Sequence, residues 1–452
     1  MKTKHFIIAF FTLVLAVINA NANNMLVQNV TTLNDNPTAK TVQVQFDLSW
    51  DNSWRDSINW DAAWIFLKFK DANGLWQHAK LNTNGFQNGS GTSNTVQVTS
   101  DKVGAWVYRD TRGSGTFNST TMQLQWNYGL SGLSKVTGLE VRVFAVEMVY
   151  VPEGGFNIAK GFYSITTDCC GPGNFNASFN APGSNFPVIN NRLTPTLNYS
   201  DGTEVDSLSK IKTSKIRIKG DVGIDTNNDG VIDNTSYPTG FRAFYCYKYE
   251  MTNQQYADFL NTLTASQITT LGTTGITVTL SNGQYFSSLP NQPCGESNNN
   301  RFYAYADWSG LRPMTYLEFN KACYGPNQPI LTGGTCSGSS YPAGGKVVGQ
   351  YNGSNCDPVI NNVGYLATVS STRQSSGASY YGIMDLTGVN RSEPVIKLNY
   401  FQFSSNNGNG ILNSTGTTDI SNWTSTNPIY IDQWSGIYGT SFYGFRYVRS
   451  AE

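Results

Sequence analysis

Between residues 41 and 148, seven short runs of alternating apolar and polar residues are separated by clusters of turn-forming residues. The runs are Thr41–Trp50, Ala63–Lys70, Leu75–Leu81, Thr95–Thr99, Gly104–Tyr108, Thr121–Trp126 and Leu139–Met148. A period of two is the pattern of a half-buried strand, because successive side chains point to opposite faces of a sheet. Seven such strands at this spacing predict an antiparallel β-sandwich of the immunoglobulin or fibronectin type.

Tryptophan is concentrated in the same segment, which holds seven of the ten tryptophans of the chain. Large aromatic side chains fill sandwich cores, and they also form platforms on which ligands stack. The core interpretation is favoured for most of them. Trp54 and Trp60 are the better candidates for exposure, because they lie in the polar stretch Asp51–Asp61.

The first 22 residues have the pattern of a secretory signal peptide. Lys2 and Lys4 precede the apolar run Phe6–Ile18, and Ala20-Asn21-Ala22 provides a small-x-small cleavage site. No later apolar stretch of the sequence is long enough to span a membrane. The sequence therefore predicts a secreted protein, located in the periplasm, at the cell surface or outside the cell, that is not an integral membrane protein.

The charge of the predicted mature chain excludes two classes of partner. Without Lys2 and Lys4, 28 basic side chains face 30 acidic ones, so the net charge is close to −2. No segment forms a basic stripe. Nucleic acid and anionic membrane surfaces are therefore not expected partners.

Cysteine and histidine limit the possible chemistry. All seven cysteines lie beyond the predicted signal peptide, where disulfides persist, and the odd number leaves at least one without an intramolecular partner. His78 is the only histidine of the predicted mature chain, which excludes a two-histidine iron site or a three-histidine zinc site within one chain. In the alternating stretch Leu75–Leu81, we expect His78 to face solvent or to cap a turn.

Several segments beyond residue 240 have clear local structure. Thr252 with Gln255, and Thr315 with Glu318, have the spacing of capping boxes and predict the starts of two short helices, the second ending at Gly325. The apolar run Ala243–Tyr249 predicts a buried strand. Asp385 and Gly388 suit a tight turn, and Arg446 is placed to donate to buried carbonyls.

Four segments carry a family resemblance. They are Phe244–Asn261 (FYCYKYEMTNQQYADFLN), Leu311–Gly325 (LRPMTYLEFNKACYG), Tyr381–Gly388 (YGIMDLTG) and Tyr443–Arg449 (YGFRYVR). In this order they resemble the formylglycine-generating enzyme, or sulfatase-modifying-factor, family. Met148–Gly161 resembles the opening strand of that family. The resemblance implies an irregular α+β, C-type-lectin-like domain.

The expected organisation is thus a signal peptide at 1–22, a β-sandwich at 23–147 and a sulfatase-modifying-factor-like domain at 148–452. The last part contains a loop-rich region at 162–240, where Asn, Gly, Pro and Ser are frequent. The expected fold class is an all-β sandwich followed by an irregular α+β domain.

The departures from the family pattern argue against its chemistry. Family members with oxidase activity bind copper(I) through a cysteine pair in the C-terminal core, whereas this chain has no cysteine after Cys356. The usual Gly-Asn-Val-Trp-Glu-Trp segment is replaced by Gly388–Glu393 (GVNRSE). We therefore expect no catalytic residues and no copper.

The resemblance implies a secreted, non-catalytic binding or assembly protein with a glycan or protein ligand at the cell surface. The expected contact surface comprises Trp423, Tyr430, Trp434 and Tyr438. One alternative is a formylglycine-generating-type oxidase that uses unconventional cysteines from the set Cys294, Cys323, Cys336 and Cys356. A second alternative is a structural surface spacer.

One segment has the spacing of a calcium loop. Asp225, Asn227, Asp229 and Asp233 place oxygen-bearing side chains around Gly230, and Val231 can offer its carbonyl. The twelfth position is Ser236 rather than the usual bidentate Glu. The sequence predicts a structural calcium site of low affinity, and the competing interpretation is a solvated turn rich in Asp and Asn.

Overall fold

A computed structural model describes residues 24–157, 234–272, 278–295, 298–326, 336–338, 362–368, 370–386, 408–424 and 444–452, with short strands and single residues elsewhere. Strands β1 to β9 are Leu26–Asn36, Thr41–Arg55, Asp61–Lys70, Trp76–His78, Ser90–Gly91, Asn94–Val98, Ala105–Arg109, Gly113–Asn127 and Glu140–Val151. All seven predicted strands are present among them, and β1 is the long strand that the sequence did not indicate.

The remaining elements are shorter. Strands β10 to β14 are Phe156–Asn157, Val188–Ile189, Leu197–Asn198, Lys210–Ile211 and Phe244–Tyr247, and β15 to β19 are Thr279–Ser281, Gln284–Phe286, Arg312–Pro313, Gln350–Tyr351 and Cys356–Asp357. Strands β20 to β23 are Glu393–Val395, Ile429–Asp432, Gly436–Ile437 and Tyr447–Ser450. Helices α1 to α6 are Asn253–Leu260, Ala265–Leu271, Asn299–Trp308, Tyr316–Tyr324, Arg373–Ser376 and Ser421–Thr424.

Two antiparallel sheets pack face to face in the first part of the chain. The smaller sheet has the strand order β1-β2-β8-β5. Alternate residues of β2 (Val42, Val44, Phe46, Leu48 and Trp50) point inward and share one core with Ile65 and Leu67 of β3. The core forms because β2 has the period-two pattern of a strand with one buried face. The fold is β-rich and mostly antiparallel, as expected.

The larger sheet continues from the first part of the chain into the second. Its order is β17-β23-β14-β9-β3-β7-β6, with β4 also paired to β3. Strand β9 pairs with β3 on one side and with β14 on the other. The predicted boundary between residues 147 and 148 therefore falls inside β9, and the two parts share a continuous hydrogen-bonded sheet.

The larger sheet is covered on both faces. Its sandwich face, which includes Ala63 and Ile65, packs against the smaller sheet. Its helix face, which includes Trp64 and Phe66, packs in a second core with α1, α3 and α4. Nine of the ten residues of β3 are buried, since this strand has a layer on each side. This explains why β3 is almost continuously apolar instead of alternating.

The two predicted capping boxes are confirmed. The Thr252 side chain accepts from the Gln255 backbone and the Gln255 side chain accepts from the Thr252 backbone at the start of α1. Thr315 and Glu318 do the same at the start of α4, which ends at Gly325 with a φ of 72°. Residues Ala243–Tyr249 include the buried strand β14, as predicted. Among the described helices, none is both long and apolar enough to cross a membrane.

Candidate functional site

The predicted ligand-contacting residues are not found together on a described surface. Trp423 has no exposed area and stacks on Phe403, with ring centroids 6.1 Å apart, in the core shared with the helices. The prediction that Trp423 is an exposed contact residue is therefore wrong, because its ring lies in the core. Only the backbone of Tyr430 is described, in β21, and Trp434 and Tyr438 lie outside the described residues.

The predicted calcium ligands also lie outside the described residues. This holds for Asp225, Asn227, Asp229, Val231 and Asp233, and for the predicted signal peptide. Within the described part of the chain, no group of three or more His, Cys, Asp or Glu side chains is arranged to hold a metal ion. The calcium site stays a prediction.

Three of the four segments of the family resemblance meet at Arg446. This arginine is fully buried, and its Nη1 donates to the carbonyls of Tyr247 and Lys248 at 2.9 and 3.2 Å. Its Nη2 donates to the carbonyl of Met384 at 2.9 Å. The predicted role of Arg446 as a donor to buried carbonyls is confirmed. Located directly before β23, it joins the end of β14 to the Tyr381–Gly388 segment.

Asp385 supplies the turn next to this junction. Its φ is 62°, in the left-handed region that few residues other than Gly and Asn adopt. The carboxylate is buried and accepts a hydrogen bond from the backbone N–H of Gly364 at 2.6 Å. The aspartate that the sequence marked as a turn residue therefore acts structurally, by holding the neighbouring loop.

A buried ion pair fixes the start of α4. Arg312 Nη1 and Nη2 donate to the two carboxylate oxygens of Glu318 at 2.8 and 2.5 Å, and both side chains are almost fully buried. Glu318 also accepts from the backbone N–H of Thr315 at 3.0 Å. The carboxylate therefore caps the helix and neutralises the arginine of β17 at the same time.

Three ionisable side chains meet between the two sheets, on the sandwich face of the larger sheet. Lys248 Nζ donates to Glu147 Oε1 at 2.5 Å and to Asp61 Oδ2 at 3.3 Å. Asp61 comes from β3, Glu147 from the adjacent β9, and Lys248 follows β14. All three are at most 4% exposed. We call Asp61, Glu147 and Lys248 the buried triad.

Sequence reasoning missed the buried triad, although a signal was present. Asp61 lies two residues before Ala63, so it shares the inward face of β3, and Glu147 interrupts an apolar stretch at the inward position opposite Ala63. Charged residues at inward positions of apolar strands are rarely left unpaired. Pairing Asp61 and Glu147 with Lys248 required knowledge that β14 lies beside β9.

Donors other than Lys248 surround the Asp61 carboxylate. Trp50 Nε1 donates to Oδ2 at 3.1 Å, while Ser53 Oγ and the backbone N–H of Trp54 donate to Oδ1 at 3.1 and 2.9 Å. The second oxygen of Glu147, Oε2, has no hydrogen-bond partner among the described residues. The two carboxyl groups of the buried triad therefore differ sharply in environment.

The pKa values of the buried triad follow from this difference. Burial raises the pKa of Glu147 to about 8, Lys248 opposes the increase, and Asp61 adds to it. Burial lowers the pKa of Lys248, but the charges of Glu147 and Asp61 outweigh this and the net shift is upward. At neutral pH Lys248 is therefore charged, and Glu147 binds a proton more readily than an ordinary glutamate does.

His78 is buried, so the expectation that it faces solvent or caps a turn is wrong. It is 6% exposed, and its Nε2 lies 2.6 Å from the carbonyl of Val103, which makes Nε2 the protonated nitrogen. The loop from Gly408 covers the ring so closely that a Cβ on Gly410 would lie 2.0 Å from Nδ1. Nδ1 has no hydrogen-bond partner in the described part of the structure.

The covering loop is held by buried charged groups. Lys68 Nζ donates to the carbonyl of Gly410 at 2.6 Å. Asp307 accepts from Thr418 Oγ1 at 2.8 Å and from the backbone N–H of Asp419 at 3.0 Å.

Burial lowers the pKa of His78 well below its ordinary value of 6.5, and the positive charges of Lys68, Lys80 and Arg449 lower it further. His78 is therefore neutral in the folded protein.

We predict that His78 makes the protein less stable in mild acid. The unfolded chain binds a proton at His78 below pH 6.5, whereas the folded chain does not, so stability falls as pH drops from 6.5 toward the depressed folded pKa. The loss from this group is about 1.4 kcal/mol per pH unit within that window. Urea unfolding of wild type and His78→Gln at pH 7.5 and 5.5 tests this, because Gln keeps a donor for Val103. A variant that loses as much stability between these pH values as wild type does would contradict the prediction.

A half-buried aromatic cluster packs against the edge of the core on the helix face. Tyr150 stacks on Trp60 with centroids 4.0 Å apart and planes 8° apart. The Arg55 guanidinium lies 4.3 Å from the Trp60 centroid and 5.1 Å from that of Tyr108. All four side chains are partly exposed. We call them the Trp60 cluster.

The predicted distribution of tryptophans is confirmed. Trp50, Trp64, Trp106 and Trp126 are at most 1% exposed and belong to the cores. Trp54 and Trp60 are only partly buried, as is Trp76. Trp54 packs against Gly382, where an added Cβ would meet its ring at 3.0 Å. Trp60 differs from Trp76 in having aromatic as well as cationic neighbours at the surface.

The cysteine positions bear on the oxidase alternative. Cys323 in α4 forms a disulfide with Cys336, with Cα atoms 4.7 Å apart. Cys294 is fully buried in the core, and only the backbone of Cys356 is described. Two of the four cysteines named for that alternative are therefore already bonded to each other.

Comparison with known proteins identifies no relative. A scan against protein-family models, a search of characterised proteins and a search of solved structures each return no match. The function has to be argued from the residues themselves.

Proposed function

We propose that this chain is a secreted, non-catalytic binding or assembly protein built on a degenerate sulfatase-modifying-factor-like domain. The observation that carries the proposal is the use of the family-like residues for structural bonds. Arg446 donates to three carbonyls, Asp385 holds a neighbouring loop, and Glu318 caps α4 while pairing with Arg312. Each of these groups is buried and none is presented to a substrate.

The disulfide supports the non-catalytic alternative over the oxidase. A copper(I) site of the family type needs two thiolates, and a disulfide offers none. Cys323 and Cys336 would have to be reduced first, and the Cys323 side chain would still lie in the core. Copper(I) titration of the protein without reductant tests this point. Tight binding of one copper ion by two thiols would revive the oxidase.

The Trp60 cluster is the surface that we assign to binding. Trp, Tyr and Arg are the residues most often found at the energetic centre of protein interfaces. Tyr150 and the Arg55 guanidinium already occupy ring-face area of Trp60 that a sugar would need for stacking. The cluster therefore favours a protein ligand over a glycan, with Arg55 and the tyrosine hydroxyls as its polar contacts.

We predict that Trp60→Ala weakens binding of the protein partner by about 30-fold or more, the effect expected of a central interface residue. The partner is first captured from the source organism's cell envelope and purified, and its Kd is measured with each variant. Trp76→Ala is the matched control, because Trp76 is also half-buried and carries Arg142 at 4.3 Å from its centroid. Equal losses in the two variants, or specific binding of glycans on an array through Trp60, would refute a protein interface here.

A further inference from the structure

The buried triad places an amine beside a carboxyl group in a site closed to water. Lys248 Nζ is 3.3 Å from Asp61 Oδ2 and 2.5 Å from Glu147 Oε1, and it also donates to the Asn52 carbonyl at 3.2 Å. The two ends come from β3 and from the residue after β14, which are separated in the sheet by β9. Glu147 projects from this middle strand between them.

We propose that Lys248 and Asp61 condense to an intramolecular amide bond, with Glu147 as the proton carrier. The lysine gives a proton to Glu147, and its free amine attacks Cγ of Asp61. One C–N bond forms and one C–O bond breaks. Two protons of the ammonium group leave with a carboxylate oxygen as one water molecule, and Glu147 ends in the protonation state in which it began. No oxidant or co-reactant is needed.

The environment of each carboxyl group suits this division of roles. Trp50 Nε1, Ser53 Oγ and the Trp54 N–H donate to the Asp61 oxygens and so polarise the carbonyl that is attacked, as donors do in an oxyanion hole. Glu147 Oε1 contacts the amine, and Oε2 has no hydrogen-bond partner among the described residues, so this carboxyl group can carry the proton. The raised pKa of Glu147 agrees with this role, because a group that titrates near neutral pH both donates and accepts protons.

Condensation is favoured inside the protein although it is unfavourable between free amino acids in water. Holding two groups in contact corresponds to an effective concentration of about 10⁵–10⁸ M. The product also removes two buried charges whose loss of hydration is costly, and it replaces them with a neutral amide. The water released leaves a site in which Asp61 and Lys248 are at most 4% exposed.

The bond would tie the sandwich to the second part of the chain. Asp61 begins β3, and Lys248 donates its backbone N–H to the carbonyl of Glu147 on β9. A covalent bridge across β9 would therefore hold three neighbouring strands together when the sheet is pulled or partly unfolded. Such a bond suits a protein that works outside the cell, where no refolding machinery acts on it.

The test is the intact mass of the reduced, denatured mature protein. We expect it to be lighter than the sequence mass by one water molecule. Trypsin should release peptide 56–68 joined to peptide 243–301, with cleavage blocked after Lys248. Fragment ions must locate the bond at Asp61, because Asp-Gly pairs elsewhere in the chain lose water by forming succinimides. A full-mass protein, or a bond at Glu147 instead of Asp61, would overturn the proposal.

Two variants distinguish the proposed amide bond between Lys248 and Asp61 from a buried ion pair that does not react. Glu147→Gln keeps an acceptor for Lys248 but cannot carry the proton, so we expect the full mass and two separate peptides. Lys248→Arg keeps the charge and lacks the amine. If either variant fails to fold, the wild-type peptide map still decides. Water loss between the same two peptides in Glu147→Gln would show that Glu147 is not the proton carrier.

Discussion

Replacing Arg446 by methionine is expected to lower the free energy of unfolding by about 3–5 kcal/mol, since each hydrogen bond from a buried charged group contributes about 1.5–3 kcal/mol. Three carbonyls lose this donor. Lys248 O retains a second bond, from the Met384 backbone N–H at 2.8 Å, so the three losses do not add in full. Methionine keeps most of the side-chain volume, which limits the cavity contribution.

Urea unfolding followed by tryptophan fluorescence measures this loss, because most tryptophans are buried in the two cores. Arg142→Met is the matched control. Arg142 is partly exposed and pairs with Glu140 at 2.8 Å, and exposed pairs of this kind contribute about 0–1 kcal/mol. A loss for Arg446→Met no larger than that of the control would mean that Arg446 does not hold the junction together.

Features set by a few neighbouring residues could be predicted from the sequence. The capping boxes of Thr252 and Thr315 depend on the third residue that follows each, and both helices begin where this spacing placed them. Most of the seven predicted strands of the first part follow from period-two alternation over five to ten residues, although β3 is almost continuously apolar. The role of Arg446 also followed from local context, because Gly444-Phe445-Arg446 places an arginine where it can bond to buried carbonyls.

Features set by distant contacts could not be predicted in the same way. The stretch around His78 alternates, but alternation does not tell which of its faces is covered. That face is covered by the loop at Gly410, more than three hundred residues away. The position of the predicted boundary within β9 has a similar cause, because β9 pairs with β3 on one side and with β14 on the other.

The buried triad depends both on neighbouring residues and on distant contacts. Asp61 and Glu147 are recognisable as charged residues at inward positions, which a reading of each strand alone can detect. Their common partner depends on the order β14-β9-β3 in the sheet, and sequence spacing does not give this order. Trp423 was assigned to a contact surface because of the lectin-like fold that the resemblance implies, whereas its ring stacks on Phe403 in the core.

The ion pair of Arg312 and Glu318 gives the second large expected effect, and it separates the cost of breaking a buried pair from the worth of having one. Glu318→Ala should destabilise the protein by about 3–5 kcal/mol, because Arg312 is then buried without a counter-charge. The same change removes the acceptor of the Thr315 backbone N–H and so weakens the start of α4.

The double variant Arg312→Met with Glu318→Leu should recover most of that loss, since apolar side chains of similar volume remove both charges from the interior. Thermal and urea unfolding of the wild type, Arg312→Met, Glu318→Leu and the double variant complete the cycle. The double variant still lacks the capping bond to Thr315. We expect its free energy of unfolding to stay about 1 kcal/mol below that of wild type for this reason. A double variant as unstable as Glu318→Ala would show that α4 depends on the carboxylate itself, and that neutralising Arg312 is a minor part of what Glu318 does.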